Sequence, residues 1–94
     1  MIEVYQAEWC PFSVMVRERL TELGVDFVAR QVAPTRPERD DLREKTGQDG
    51  IPAVVLEDGT VLAGATEEII EELEQRFRPW PHEEGHIAQF RAHQ

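Results

Sequence analysis

One cysteine is all the thiol chemistry that the 94-residue sequence offers. A single thiol cannot close an internal disulfide, so a disulfide-stapled scaffold of an oxidising compartment is excluded. Basic residues are scarce as well: 10 Lys plus Arg stand against 19 Asp plus Glu, for a net charge of −9. Phosphate backbones and anionic bilayers require a basic face, so neither nucleic acid nor a membrane surface is an expected partner. Lys45 is the single lysine among those 10 basic residues, an arginine bias that reads as compositional. No apolar run approaches the roughly 20 residues that span a bilayer. The start, Met1-Ile2-Glu3-Val4, lacks the basic and long apolar regions of a signal peptide. A soluble, cytoplasmic and monomeric protein with one modest core is the expectation.

What is present has a clear rhythm. Residues 2–6 read as a buried strand. Residues 11–23 read as a helix, with Met15, Val16, Leu20 and Leu23 returning at helical spacing and Gly24 as the stop. Val25 to Val32 is β-rich. Thr35 and Glu38 fit a capping box opening a mostly exposed helix over 36–46, with Leu42 as its lone apolar residue and Gly47 ending it. Residues 53–56 and 60–63 read as strands around Glu57-Asp58-Gly59, a strong hairpin signal. Thr66 is expected to cap a last helix whose first turn carries Glu67 and Glu68 and whose core face is Ile69, Ile70, Leu73 and Phe77. The order is β-α-β-α-β-β-α, an α/β domain over residues 1–80 followed by a polar extension over 81–94.

The most informative segment is Trp9-Cys10-Pro11-Phe12-Ser13. A lone cysteine is ordinarily a small buried hydrophobe. This one stands where a strand delivers the chain to a helix, with Pro11 at the first helical position, where its missing N–H costs nothing. Free N–H groups and the positive end of the helix dipole favour a thiolate there, which makes Cys10 a nucleophile candidate. Ser13 either hydrogen-bonds that sulfur or is an ordinary first-turn serine.

Three segments in register, Trp9 to Ser13, Gly47-Gln48-Asp49-Gly50-Ile51-Pro52, and Asp58-Gly59 through Gly64-Ala65-Thr66-Glu67-Glu68, resemble the glutaredoxin family. The chain is also similar to the N-terminal domain of glutathione transferases, without the helical domain that follows there. The resemblance implies a thioredoxin-like fold, a four-stranded mixed sheet flanked by helices. It implies that Cys10 is the attacking thiol, and that Ser13 occupies the place of the family's second cysteine, as in the monothiol subset. Mixed disulfides at Cys10 would then be released by glutathione or a similar low-molecular-weight thiol, with S-thiolated proteins as substrates. Pro52 matches the family's cis-proline, so the Ile51 backbone would pair with the ligand's cysteinyl backbone. Trp9 and Phe12 would border the ligand, and Thr66 with Glu67 would receive its γ-glutamyl end at a helix start. For Pro52 and Thr66, a strand-starting proline and a plain helix cap remain alternative readings.

The pattern also departs from the family. Ala7 and Asp49 stand where basic residues usually hold a carboxylate of glutathione, and Glu8 adds negative charge nearby. These acids are expected to raise the Cys10 pKa against the helix dipole and make another thiol carrier, mycothiol- or bacillithiol-like, an alternative to glutathione. A [2Fe–2S] cluster shared by two subunits is a further possibility that the resemblance raises, although Pro11 replaces the glycine of cluster-carrying monothiol members. His82-Glu83-Glu84-Gly85-His86 matches the H-E-x-x-H zinc signature formally. Its polar flanks, Pro81 and Gly85 argue for a solvated extension with a short helix at most, and no metal site is expected.

Overall fold

A computed structural model describes residues 1–77 and, beyond them, residues 89, 91 and 92. The H-E-x-x-H segment and nearly all of the expected extension therefore lie outside the described residues. Within residues 1–77, four strands and three α-helices follow one another as β1 (Ile2–Gln6), α1 (Pro11–Glu22), β2 (Phe27–Gln31), α2 (Asp40–Thr46), β3 (Ala53–Val55), β4 (Val61–Leu62) and α3 (Thr66–Arg76), with a short 3-10 turn, Arg36–Glu38, leading into α2. The sheet order is β2-β1-β3-β4. β1 and β2 are parallel, the connection that a helical crossover such as α1 permits. β1–β3 and β3–β4 are antiparallel.

Side-chain alternation along the strands divides the core in two. On one face Ile2, Val4, Val54 and Leu56 meet Val16, Leu20 and Leu23 from the α1 side and Ile69 and Leu73 from α3. On the other, Tyr5, Ala53 and Val55 meet Leu42 of α2. The mixed sheet flanked by helices is the thioredoxin-like arrangement expected above.

Local details differ from expectation in several places: β3 and β4 are shorter than 53–56 and 60–63, Phe77 lies just past the end of α3, and three further differences concern β2, Thr35 and Thr66. β2 is shorter than 25–32, because the Val25 N–H turns back to the Leu20 carbonyl at 2.9 Å and finishes the exit from α1. Thr35 does not form a capping box: its side chain closes no bond, the 3-10 turn stops at Arg39 (φ −89°, ψ 54°), and α2 starts afresh at Asp40. The break follows from two arginines. Arg39 leaves helical geometry with its guanidinium drawn onto backbone carbonyls, and Arg43 donates to the Arg36 and Pro37 carbonyls at 2.7 and 2.8 Å, satisfying the short turn from below. Thr66 is the first residue of α3 rather than its cap; Ala65 holds the cap position and no side chain bonds there.

The stops were well marked. Gly47 ends α2 in the left-handed region at φ 78°, and Gly59 takes φ 89° in the β3–β4 turn, where the Asp58 carboxylate accepts the Thr60 N–H at 2.9 Å. Among the described residues no helix is long and apolar enough to cross a membrane.

Leu42 is the one buried apolar anchor of α2 and has no exposed surface. Leu42→Ala should destabilise the protein by about 2–5 kcal/mol, measured as a lowered urea midpoint, while Asp41→Ala on the exposed side of the same helix should stay within about 0.5 kcal/mol of the parent.

Candidate functional site

The strand register brings the separate sequence segments to one edge of the sheet. Tyr5, near the end of β1, pairs with Ala53, the first residue of β3. The chain from Ala7 to Cys10 and the chain from Asp49 to Pro52 therefore leave the sheet side by side. β4 runs antiparallel to β3, with Leu62 opposite Val54, so its exit toward Thr66 and Glu67 heads for the same edge. β2 ends there too, Gln31 standing beside Gln6. All the sequence-predicted site residues thus belong to loops or helix starts at one end of the sheet.

Cys10 occupies the N-cap position of α1 in extended conformation (φ −83°, ψ 114°), with Pro11 directly after it. It is 5% exposed, while its neighbours Trp9 and Phe12 are 65% and 52% exposed, with Met15 a turn further on at 42%. Cys10 is therefore recessed, while apolar side chains close to it in the chain are exposed. Burial pushes its pKa up, and this is the largest single influence; the Ser13 hydroxyl, the backbone N–H groups of Ser13 and Phe12, and the charge of Arg39 together outweigh it, leaving the thiol below its ordinary value. No side-chain cap bond closes on the thiol in the resting geometry, so these donors act on the charge that ionisation creates.

Ser13 is fully buried, and its hydroxyl oxygen also accepts the Ala7 N–H at 3.4 Å. The Ser13 hydroxyl is thus held inside the fold, tied to the backbone of the loop before Cys10. The Ile51–Pro52 peptide bond is cis. Pro52 is buried and Ile51 half-buried, with the Ile51 side chain packed on the Tyr5–Leu42 side of the core. Thr66 is buried at 8% exposure, and Glu67 is exposed in the first turn of α3.

The expected electrostatic penalty is corrected by geometry. Asp49 does not confront the site as a free carboxylate: Arg36 and Arg43 hold it at 3.0 and 3.7 Å. Glu8 pairs with Arg17 at 3.4 Å, and Arg17 also donates to the Gln6 side chain, which is itself fully buried and bonded to Gln31. The main upward pressure on the Cys10 pKa comes from burial instead of from these acids.

Sequence reasoning missed Arg39 and Gln48. Gln48 folds over the next turn, its amide donating to the Gly50 carbonyl at 3.1 Å and accepting the Gly50 N–H at 3.0 Å. A Cβ on Gly50 would lie 3.1 Å from the Gln48 side-chain oxygen, which would have to shift by a few tenths of an ångström to admit it. Arg39 sits in a run of polar residues that looks solvated throughout; nothing in its neighbours marks it as buried.

Comparison with known proteins agrees with this architecture. The fold is thioredoxin-like: a crystallised thioredoxin-like protein is 35% identical with a TM-score of 0.65, the match covering 80% of this chain and 97% of that one. The glutathione transferase homologue from Sulfitobacter, crystallised with glutathione, matches 82% of this chain with a TM-score of 0.70 at 22% identity, a likeness of fold, and this chain spans 37% of its length. The glutaredoxin family profile matches residues 2–62. An uncharacterized glutaredoxin-like 8.6 kDa protein in the rubredoxin operon of Clostridium pasteurianum is 32% identical over 73 residues, 78% of this chain and 96% of that protein. The chain belongs to the glutaredoxin family.

Ser13→Ala removes one thiolate donor and the acceptor of the Ala7 N–H. The pH midpoint of Cys10 alkylation by iodoacetamide should move up, and stability should fall by about 1–3 kcal/mol because a buried donor loses its partner. The sign follows from linkage: a thiol whose folded pKa is depressed adds stability above its unfolded value and loses it as pH falls through the folded one. The alanine variant should accordingly gain less from raising the pH across that window.

Proposed function

We propose that this protein is a monothiol glutaredoxin-like oxidoreductase that exchanges mixed disulfides with glutathione or a related low-molecular-weight thiol. The observation that carries the reading is the recessed Cys10 at the start of α1, flanked by a hydroxyl and backbone N–H groups that favour its thiolate. Only the thiolate is an effective nucleophile toward a disulfide.

In the first step the Cys10 thiolate attacks the small-thiol sulfur of an S-thiolated protein. The protein's own sulfur leaves as a thiolate and takes a proton, and the small thiol remains on Cys10 as a mixed disulfide. Ser13 supplies no second sulfur, so an external thiolate attacks the carried sulfur, Cys10 leaves as a thiolate, and a small-molecule disulfide departs. Over the cycle one free small thiol is consumed: the protein substrate leaves as a thiol, a small-molecule disulfide forms, and Cys10 returns unchanged. The Ser13 hydroxyl and the Phe12 and Ser13 N–H groups stabilise Cys10 each time it carries negative charge.

Trp9, Phe12 and Met15, exposed and close to Cys10 in the chain, are suited to offer apolar surface to a protein substrate. The Ile51 backbone, beside Cys10 on the same edge, is suited to pair with the cysteinyl backbone of the carried thiol. The first turn of α3, with Thr66 and Glu67, is suited to that ligand's charged end. Glutathione, the ligand of the transferase homologue, is the first carrier to test. Mycothiol- and bacillithiol-like thiols are the alternatives.

Cys10→Ser should abolish reduction of a glutathionylated peptide followed by mass spectrometry, whereas Ser13→Cys should leave the rate equal or higher. Retained activity in Cys10→Ser would refute the reading.

A further inference from the structure

We infer that Arg39 is a positioning residue of the Cys10 site: its buried guanidinium clamps the segment that enters Ile51–Pro52 to the turn after β2, on the sheet edge that carries the sulfur. The assignment rests on the thiol-exchange reading only in treating Cys10 as the reacting centre.

Three observations carry it. The residue is 6% exposed, unusual for an arginine. Its Nε donates to the Ala33 carbonyl at 2.9 Å, one terminal nitrogen to the Asp49 carbonyl at 2.9 Å, and the other to the Pro34 carbonyl at 3.2 Å. Its partners are thus backbone oxygens of two loops that exit the same edge, one after β2 and one before β3. Finally, no carboxylate pairs with Arg39 among the described residues. The Asp49 carboxylate is taken by Arg36 and Arg43, Asp40 by Arg43, and Glu8 by Arg17.

That last point distinguishes a clamp from a salt bridge. Backbone carbonyls satisfy the guanidinium as hydrogen-bond donor but leave its charge unneutralised. Burying such a charge is costly, and neutral donors would tie two loops more cheaply. Its charge also favours the Cys10 thiolate, as the weakest of the influences on that thiol, after burial, Ser13 and the Phe12 N–H. Tyr5, the other titratable group of the central strand near this edge, ionises above its usual range because of burial and the neighbouring Glu3, and stays neutral. The main role of the group is thereby mechanical: it holds the approach to Ile51–Pro52 in place, and its positive charge adds a small bias toward the thiolate. Lysine is not equivalent, since a single ammonium cannot reach three carbonyls in a fixed fork.

The test compares Arg39→Met and Arg39→Lys with the parent by two readouts: the pH profile of Cys10 alkylation and hydrogen exchange at the Gly50 amide. At neutral pH the methionine variant should alkylate more slowly than both the parent and the lysine variant, because loss of the cation raises the thiol pKa, and its Gly50 amide should exchange at least about tenfold faster. The lysine variant, which keeps the cation, should alkylate within about twofold of the parent yet exchange at Gly50 as fast as the methionine variant. A folded Arg39→Met protein with the parental profile and exchange overturns the inference. If that variant does not fold, Arg39→Lys decides, and parental exchange at Gly50 overturns the clamp. Reduction of a glutathionylated peptide is read separately. A parent inactive in that assay ends the thiol-exchange reading, while alkylation and exchange still decide the role of Arg39.

Discussion

The pairing of Tyr5 with Ala53 at the centre of the sheet is the constraint on which the site depends. A strand that slips by one residue turns every side chain to the opposite face. Here both faces are buried, Ile2 and Val4 against α1 and α3, Tyr5 against α2, so the register has no freedom to drift. With that pairing set, the loop carrying the sulfur and the loop ending in Pro52 must emerge together. The chemistry is positioned by the core, and the loops inherit their place.

Electrostatics at this edge run opposite to the bulk of the molecule. The chain is strongly acidic, yet the segment between β2 and β3 brings Arg36, Arg39 and Arg43 together around Asp49. Two of these arginines neutralise the acid, and the third keeps its charge for the interior. Gln48 and Thr46 complete the segment with local bonds, the Thr46 hydroxyl donating to the Leu42 carbonyl at 2.7 Å. A stretch that reads as loosely polar is held by a connected network.

Much of this was legible beforehand, for identifiable reasons. Period-2 and period-3.6 apolar patterns report which faces are buried, and they located the strands and α1 and α3. Gly47, Gly59 and the Asp58-Gly59 pair report backbone conformation directly, since few other residues adopt those angles. The position of Cys10 before Pro11 was equally plain. Arg39 was not, because burial of a charged side chain depends on distant backbone oxygens that no local pattern encodes. The capping box failed for the same reason: Thr35 and Glu38 satisfy the local rule, but the pull of Arg39 on the Ala33, Pro34 and Asp49 carbonyls decides where the helix begins. Asp49 looked hostile to an anion only while its two arginine partners were invisible.

Trp9, Phe12 and Met15 are exposed apolar side chains, the kind of surface through which two copies of a protein adhere. The net charge of −9 opposes this, because every approach of one copy to another is a meeting of like charges. Repulsion of this kind extends over about 8–10 Å at ordinary ionic strength and shrinks as salt rises. Net charge of this size favours colloidal stability in spite of the exposed apolar residues, and does so less as salt is added.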